Sequence, residues 1–207
     1  EEIQDYVDLE IPQSINSDFG SAVVKMIDPY SYRNKLLLPK MIILGTNDPY
    51  WTVDAVKHYI NEIPGHNLLH YVANAGHNLG DKKQALAALS AFFALNLTNK
   101  PIPACSWTLN EKGRNIDLEV KASPGELIGA RLWSSSSDSR DFRKSTWTSR
   151  EIKPDSKDGS TVKTRLKYPK DAYTAFYLDL IYPDPNGGEY SVSTRTFVAD
   201  KKQVFVK

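Results

Sequence analysis

The chain has 207 residues, one cysteine and a formal net charge of +1, from 26 Lys and Arg against 25 Asp and Glu. That balance offers no field for drawing in nucleic acid or an anionic membrane wholesale, and the lone Cys105 excludes an internal disulfide framework. With 41% hydrophobic and 11% aromatic residues and a mean hydropathy of −0.44, the composition is that of a globular chain, not a collagen-like, coiled-coil or disordered one.

No apolar run approaches the roughly 18 residues of a membrane span, and the opening EEIQDYVDLE is acidic where a signal peptide is basic. A chain that opens without Met reads equally as a processed product or as a piece of something longer. Residues 17–27 (SDFGSAVVKMI) have the pattern of a helix, and DPYSY after them that of a turn. Lys40–Gly45 (KMIILG) is a short apolar run between Pro39 and a glycine, the pattern of a parallel strand buried on both faces. Residues 54–63 (DAVKHYINEI) space their apolar side chains at helical intervals, with Thr52 or Asp54 as N-cap and Pro64-Gly65 as stop. His70-Tyr71-Val72 reads as a second strand, 73–79 as a loop, and 81–97 (DKKQALAALSAFFALNL) as a helix with a nearly continuous apolar face.

At Thr98–Pro103 (TNKPIP) two prolines separate this helical pattern from an alternating one. Residues 1–100 hold all four histidines, with 8 Lys and Arg against 11 Asp and Glu; residues 101–207 hold 18 against 14. The expected division is therefore 1–100 and 101–207. In the second part seven alternating segments, 104–109, 115–121, 129–135, 144–152, 161–166, 172–181 and 189–198, are separated by the turn-forming SPGE, SSSDSRD, PDSKDG, YPKD and PDPNGG. About a hundred residues in seven strands suggest an immunoglobulin-like or fibronectin-like antiparallel β-sandwich, with Trp107, Trp133 and Trp147 supplying core area. The expected fold class is α/β followed by all-β: a partial alpha/beta-hydrolase-type parallel sheet with helices, then the sandwich.

The loop after the first strand reads GTNDPYW and the loop after the second reads NAGHNL. Parallel sheets present their sites at the carboxyl ends of strands, so Asp48 and His77 are expected at one edge on neighbouring strands. An acid after one strand and a histidine after the next is the back half of a Ser…Asp…His machine, in which the carboxylate orients the imidazole and the imidazole accepts a hydroxyl proton. The competing reading is turn chemistry, with Asp48 capping its own backbone. His58, His66 and His70 read as surface or packing residues, and no spacing suggests a metal site or a cofactor. A G-x-S-x-G nucleophile elbow does not occur in the 207 residues. Trp133–Asp138 and Arg140–Arg143 offer an interaction surface, against a plainer reading in which Leu132 and Phe142 are core and the serines and charges are solvated turns.

The blocks DPYSYRNKLLLPKMIILGTNDPYW (28–51), LLHYVANAGHNL (68–79) and RDFRKSTW (140–147), in that order, resemble the PhoPQ-activated pathogenicity-related protein family. The resemblance implies an alpha/beta-hydrolase domain followed by a C-terminal sandwich, a secreted or periplasmic location, and acid and histidine positions at Asp48 and His77. It supplies no nucleophile here. The expected function is a serine hydrolase of an ester or peptide bond, of which this chain holds the acid and histidine; the alternative is a non-catalytic secreted binding or signalling module on the same scaffold. The expected partner is a nucleophile-bearing N-terminal hydrolase portion, or a second copy at the unpaired sheet edge, unless the sandwich itself covers that edge.

Overall fold

The computed structural model describes residues 4–122, 127–155 and 158–207. The SPGE turn at 123–126 and the Ser156-Lys157 step of the PDSKDG turn fall outside the described residues. The chain opens with α1 (Gln4–Asp8), α2 (Ile11–Ser14) and α3 (Asp18–Ile27), none of which buries a side chain. α3 starts where the Ser17 hydroxyl accepts the Gly20 amide at 3.0 Å, an N-cap typical of serine. A 3₁₀ turn over Pro29–Lys35 leads to β1 (Lys40–Gly45).

The helix expected over 54–63 does not form; the segment makes two 3₁₀ turns, Ala55–His58 and Ile60–Glu62. Its intended cap is used elsewhere. Asp54 pairs with Lys57 at 2.8 Å and Arg140 at 2.9 Å and bonds no backbone amide of the first turn, while Val56 and Ile60 are buried. β2 (Asn67–Val72) and α4 (Lys83–Leu97) follow.

The second half forms β3 (Cys105–Lys112), β4 (Asn115–Ala122), β5 (Gly129–Ser137), β6 (Thr148–Ile152), β7 (Thr161–Lys167), β8 (Tyr173–Pro183), β9 (Glu189–Ser193) and β10 (Phe197–Ala199). The run expected as one strand over 189–198 is broken at Thr194–Thr196. There the Thr194 hydroxyl and amide bond the Leu178 amide and carbonyl, and the chain passes along β8 from β9 to β10.

Strand pairing overturns the expected fold class. The chain is mostly β, in a mixed seven-stranded sheet ordered β1-β2-β9-β8-β5-β6 with β10 on β8, and an antiparallel three-stranded sheet ordered β3-β4-β7. The hydrolase-type parallel sheet reduces to the single pair β1-β2, in register from Lys40 against Asn67 to Gly45 against Val72. The free edge of β2 is taken by an antiparallel strand from the second half, with Leu69 opposite Ser193. An immunoglobulin-like sandwich followed by or preceded by its own α/β sheet is therefore not what forms. Alternation sets which face of a strand is buried and leaves the choice of neighbour open, and an edge as apolar as β2 is satisfied by whichever strand covers it.

One face of the long sheet packs on the three-stranded sheet and on α4. Ile116, Leu118 and Val120 of β4, every second residue, meet Leu132, Phe176, Leu178 and Leu180, with Phe92 and Leu95 of α4 alongside Leu68. At about 1.5–3 kcal/mol for each large aliphatic or aromatic side chain withdrawn from water, this layer, with more buried apolar residues than the clusters elsewhere, makes a large contribution to stability. On the opposite face Leu69, Tyr71, Ala175 and Tyr177 are covered by Val56, Ile60, Phe142 and Trp147.

Two buried ionisable groups stand on the joined strands. Asp179 accepts from Ser193 Oγ at 2.6 Å and Trp133 Nε1 at 2.9 Å, while Ser193 Oγ accepts from the Tyr71 amide at 3.0 Å. This run ties β2, β9, β8 and β5 together. Burial outweighs those donors and pushes the Asp179 carboxyl up to about 6. His70 donates Nδ1–H to the Ser191 carbonyl at 3.1 Å, its buried Nε2 has no hydrogen-bond partner among the described residues, and burial lowers it to about 4.

The signs are opposite. Folded Asp179 holds its proton more tightly than the unfolded chain does, so its contribution to stability falls as pH rises from about 4 to about 6. Folded His70 refuses a proton that the unfolded chain accepts, so stability falls as pH drops from about 6.5 to about 4. Denaturant titrations across this window should show the two effects partly cancelling in the native chain. Asp179→Asn should make stability rise with pH relative to the native chain, and His70→Gln should make it fall, each by up to roughly 3 kcal/mol. Parallel profiles for all three proteins would refute the assignment.

Candidate functional site

The site is built where β1 and β2 end. Gly45 lies so close to the next turn that an added Cβ would stand 2.4 Å from the carbonyl oxygens of both Ala75 and Gly76. Only glycine permits that approach. Past it, the Thr46 amide donates to the Val72 carbonyl at 3.1 Å and the Asn47 amide to the Ala75 carbonyl at 2.9 Å. The parallel ladder thus continues into the loops and delivers Asp48 and His77 to the same place.

His77 Nδ1 lies 2.9 Å from Asp48 Oδ2. A carboxylate accepts, so Nδ1 carries the proton in the neutral ring, and Nε2 is left as the unprotonated nitrogen with no partner among the described residues. The other carboxylate oxygen, Oδ1, accepts the amides of Tyr50 at 2.8 Å and Trp51 at 3.4 Å. One oxygen of Asp48 thus caps its own turn while the other meets the imidazole. The Asp48 side chain is 8% exposed and that of His77 63%, a buried acid behind an open imidazole. The Tyr50 ring lies over His77, with centroids 4.9 Å apart.

Residues 136–147, from the end of β5 to the start of β6, complete the surroundings. In front of His77 is a polar cleft of about 970 Å³, with Asn78, Ser136, Ser137, Asp138 and Lys144 on its walls. On the Asp48 side is a second cavity of about 510 Å³ among Tyr50, Trp51, Val53 and Phe142. Behind it, the Asp54 carboxylate gathers Lys57 and Arg140, and the Arg140 guanidinium lies 4.4 Å from the Phe205 ring centroid.

Of the other residues singled out in the sequence, Phe142 and Leu132 are core, at 3% exposure each, and Trp147 is buried. His66 Nε2 donates to the Pro103 carbonyl at 2.8 Å and His70 is internal, so neither reaches the site. Among the described residues no group of three or more His, Cys, Asp or Glu is placed to hold a metal ion, and no helix is long and apolar enough to cross a membrane.

Sequence reasoning passed over Asn47 and Asn74, which flank the pair and reach the 142–147 segment, and Thr46, which bonds both of them. Their identities stand in the GTNDPY and NAGHNL loops, but the partners of Asn47 and Asn74 lie in a segment far along the chain, beyond any local periodicity.

Comparison with known proteins places this geometry in context. The family model described as PhoPQ-activated pathogenicity-related protein matches residues 1–143. A curated relative, autocrine proliferation repressor protein A of Dictyostelium discoideum, is 24% identical over 202 residues, an alignment covering 87% of this chain and 40% of that protein. The chain therefore spans well under half the length of that relative. A solved structure, the carbohydrate-binding module family 56 beta-1,3-glucan binding domain, aligns with 46% of this chain and 96% of its own at 13% identity, with a TM-score of 0.31.

Two substitutions check how the site is assembled. Gly45→Ala should force the two loops apart and cost about 1–3 kcal/mol in denaturant unfolding, the range for inserting a methyl where no space exists. Asp54→Asn leaves Lys57, whose side chain is 4% exposed, without its counter-ion, and should cost roughly 3–5 kcal/mol. Losses under about 0.5 kcal/mol would contradict either account.

Proposed function

The chain belongs to the PhoPQ-activated pathogenicity-related protein family, and from that premise we propose that Asp48 and His77 are the acid and general base of a serine-hydrolase-type site that cleaves an ester or peptide bond. The carrying observation is the 2.9 Å contact between His77 Nδ1 and a nearly buried Asp48 carboxylate, with the imidazole open to a cleft. In this reading Asp48 holds the Nδ1–H tautomer and keeps the lone pair on Nε2. As the nucleophile attacks the carbonyl, Nε2 takes the hydroxyl proton, and Asp48 stabilises the imidazolium. Nε2 then returns the proton to the leaving group, so the base is regenerated at each half-reaction.

The nucleophile and oxyanion donors are proposed to come from a hydrolase portion outside these 207 residues. No G-x-S-x-G occurs within them, no described serine bonds His77, and the relative is more than twice as long. The polar cleft before His77 and the aromatic cavity beside Asp48 would lie on either side of the scissile bond. An exported location is part of the same proposal.

A second reading, a secreted signalling module on the same scaffold, is favoured by the name of the Dictyostelium relative, an autocrine proliferation repressor. A fluorophosphonate probe separates the two. The 207-residue chain alone should take no label. In the longest native product containing these residues, one serine should label, His77→Ala should abolish labelling, and Asp48→Asn should slow it roughly 10³–10⁴-fold. A folded native product with no labelled serine favours the signalling reading, and labelling indifferent to His77 would falsify the hydrolase one.

A further inference from the structure

The loops carrying Asp48 and His77 each grip the same distant segment. Asn47, beside Asp48, directs Nδ2 at three backbone carbonyls, those of Phe142 and Arg143 at 3.1 Å and Ser145 at 2.7 Å. Asn74, three residues before His77, donates Nδ2–H to the Trp147 carbonyl at 2.9 Å and accepts the Trp147 amide on Oδ1 at 2.7 Å, a two-point pairing like that of a neighbouring strand. One hydroxyl joins the two grips: Thr46 Oγ1, 2% exposed, accepts the Asn74 amide at 2.9 Å and donates to Asn47 Oδ1 at 2.8 Å.

We infer that Thr46, Asn47 and Asn74 are positioning residues of the Asp48–His77 pair, and that the 142–147 segment is the fixed support against which they set its geometry. The inference rests on the hydrolase reading of the pair and adds to it a role for the chain's second half. The support is itself immobilised. Phe142 and Trp147 are 3% and 2% exposed, the Trp147 ring lies 5.5 Å from that of Tyr177 on β8, and Ser135 Oγ of β5 donates to the Thr146 carbonyl at 2.8 Å. A path of packed rings and hydrogen bonds therefore runs from the centre of the long sheet to the two loops.

Such support is needed because His77 is mostly exposed and makes no other hydrogen bond among the described residues, so the placement of its loop, with the Tyr50 ring against the imidazole, keeps Nδ1 within reach of Asp48. A displacement of about 1 Å between reacting groups is enough to cost roughly a hundredfold in rate. Asn74 also has φ 58°, a left-handed backbone in which asparagine is among the few comfortable side chains besides glycine. Its identity thus serves the turn and the grip together. Asn47 is partly exposed and Thr46 buried, so the three residues can be removed separately with different burdens on folding.

The readout is the tautomer of neutral His77, from imidazole ¹⁵N shifts of the 207-residue chain. The native chain should hold the proton on Nδ1, and Asp48→Asn should move it to Nε2. Thr46→Val, Asn47→Ala and Asn74→Gly, judged where the remaining amide spectrum stays native, should each shift at least half the population to Nε2–H. Thr46→Ser, which keeps the hydroxyl, should restore the native tautomer. Thr46→Val strands two polar groups and is the variant most prone to unfold; Asn74→Gly suits its backbone and decides the matter if so. Native tautomers in folded Asn47→Ala and Asn74→Gly proteins would sink the positioning role and leave the pair intact. A native chain already resembling Asp48→Asn would instead overturn the pair, and the positioning role with it.

Discussion

The parallel pairing of β1 with β2, closed at its carboxyl end by Gly45 against the carbonyls of Ala75 and Gly76, is the constraint on which the site depends. Two parallel strands in register end level with each other, so loops leaving them start side by side. A side chain at position 45 would separate those loops by the width of a methyl group. With hydrogen there, the Thr46 and Asn47 amides extend the ladder into the loops, and the acid arrives where the imidazole can use it. The Asp48–His77 contact is thus a consequence of backbone geometry first and of side-chain chemistry second.

That pair of strands does not stand alone. β2 spends its second edge on β9, and the buried sequence Tyr71 amide, Ser193 hydroxyl, Asp179 carboxylate, Trp133 indole fastens four strands of one sheet. Each donor and acceptor in that run has its partner, which is the condition under which buried polarity rigidifies a core instead of weakening it. Burial favours the neutral ring of His70 and the protonated carboxyl of Asp179, and their pH dependences oppose one another across one window. In mild acid, proton uptake by Asp179 therefore offsets part of the stability that His70 withdraws.

The same continuity explains why the second half of the chain bears on the first half's chemistry. Residues 136–147 leave β5, wall the cleft in front of His77, and return to β6 after anchoring Phe142 and Trp147 beneath the loops. Asp54, Lys57, Arg140 and Phe205 make a second fastening on the other side. The pair sits between two supports contributed by distant sequence.

The amino-acid sequence by itself determined the local elements and the chemical character of the two loops. Pro39, an apolar run and Gly45 suffice for β1; Ser17 suffices for the start of α3; the alternation of Ile116, Leu118 and Val120 suffices for the buried face of β4. Asp48 and His77 were legible because strand, turn and reactive residue lie within ten positions of one another. Tertiary structure alone decided which strands became neighbours, because hydrogen-bonding edges are chemically alike and the winning partner is the one the whole packing brings near. It also decided that 54–63 turns as 3₁₀, since Asp54 meets Arg140 only after folding. The grip of Asn47 and Asn74 on residues 142–147 belongs to the same class: the donors are visible in the sequence, while the carbonyls they need are supplied by a segment that becomes their neighbour only when the sheet closes.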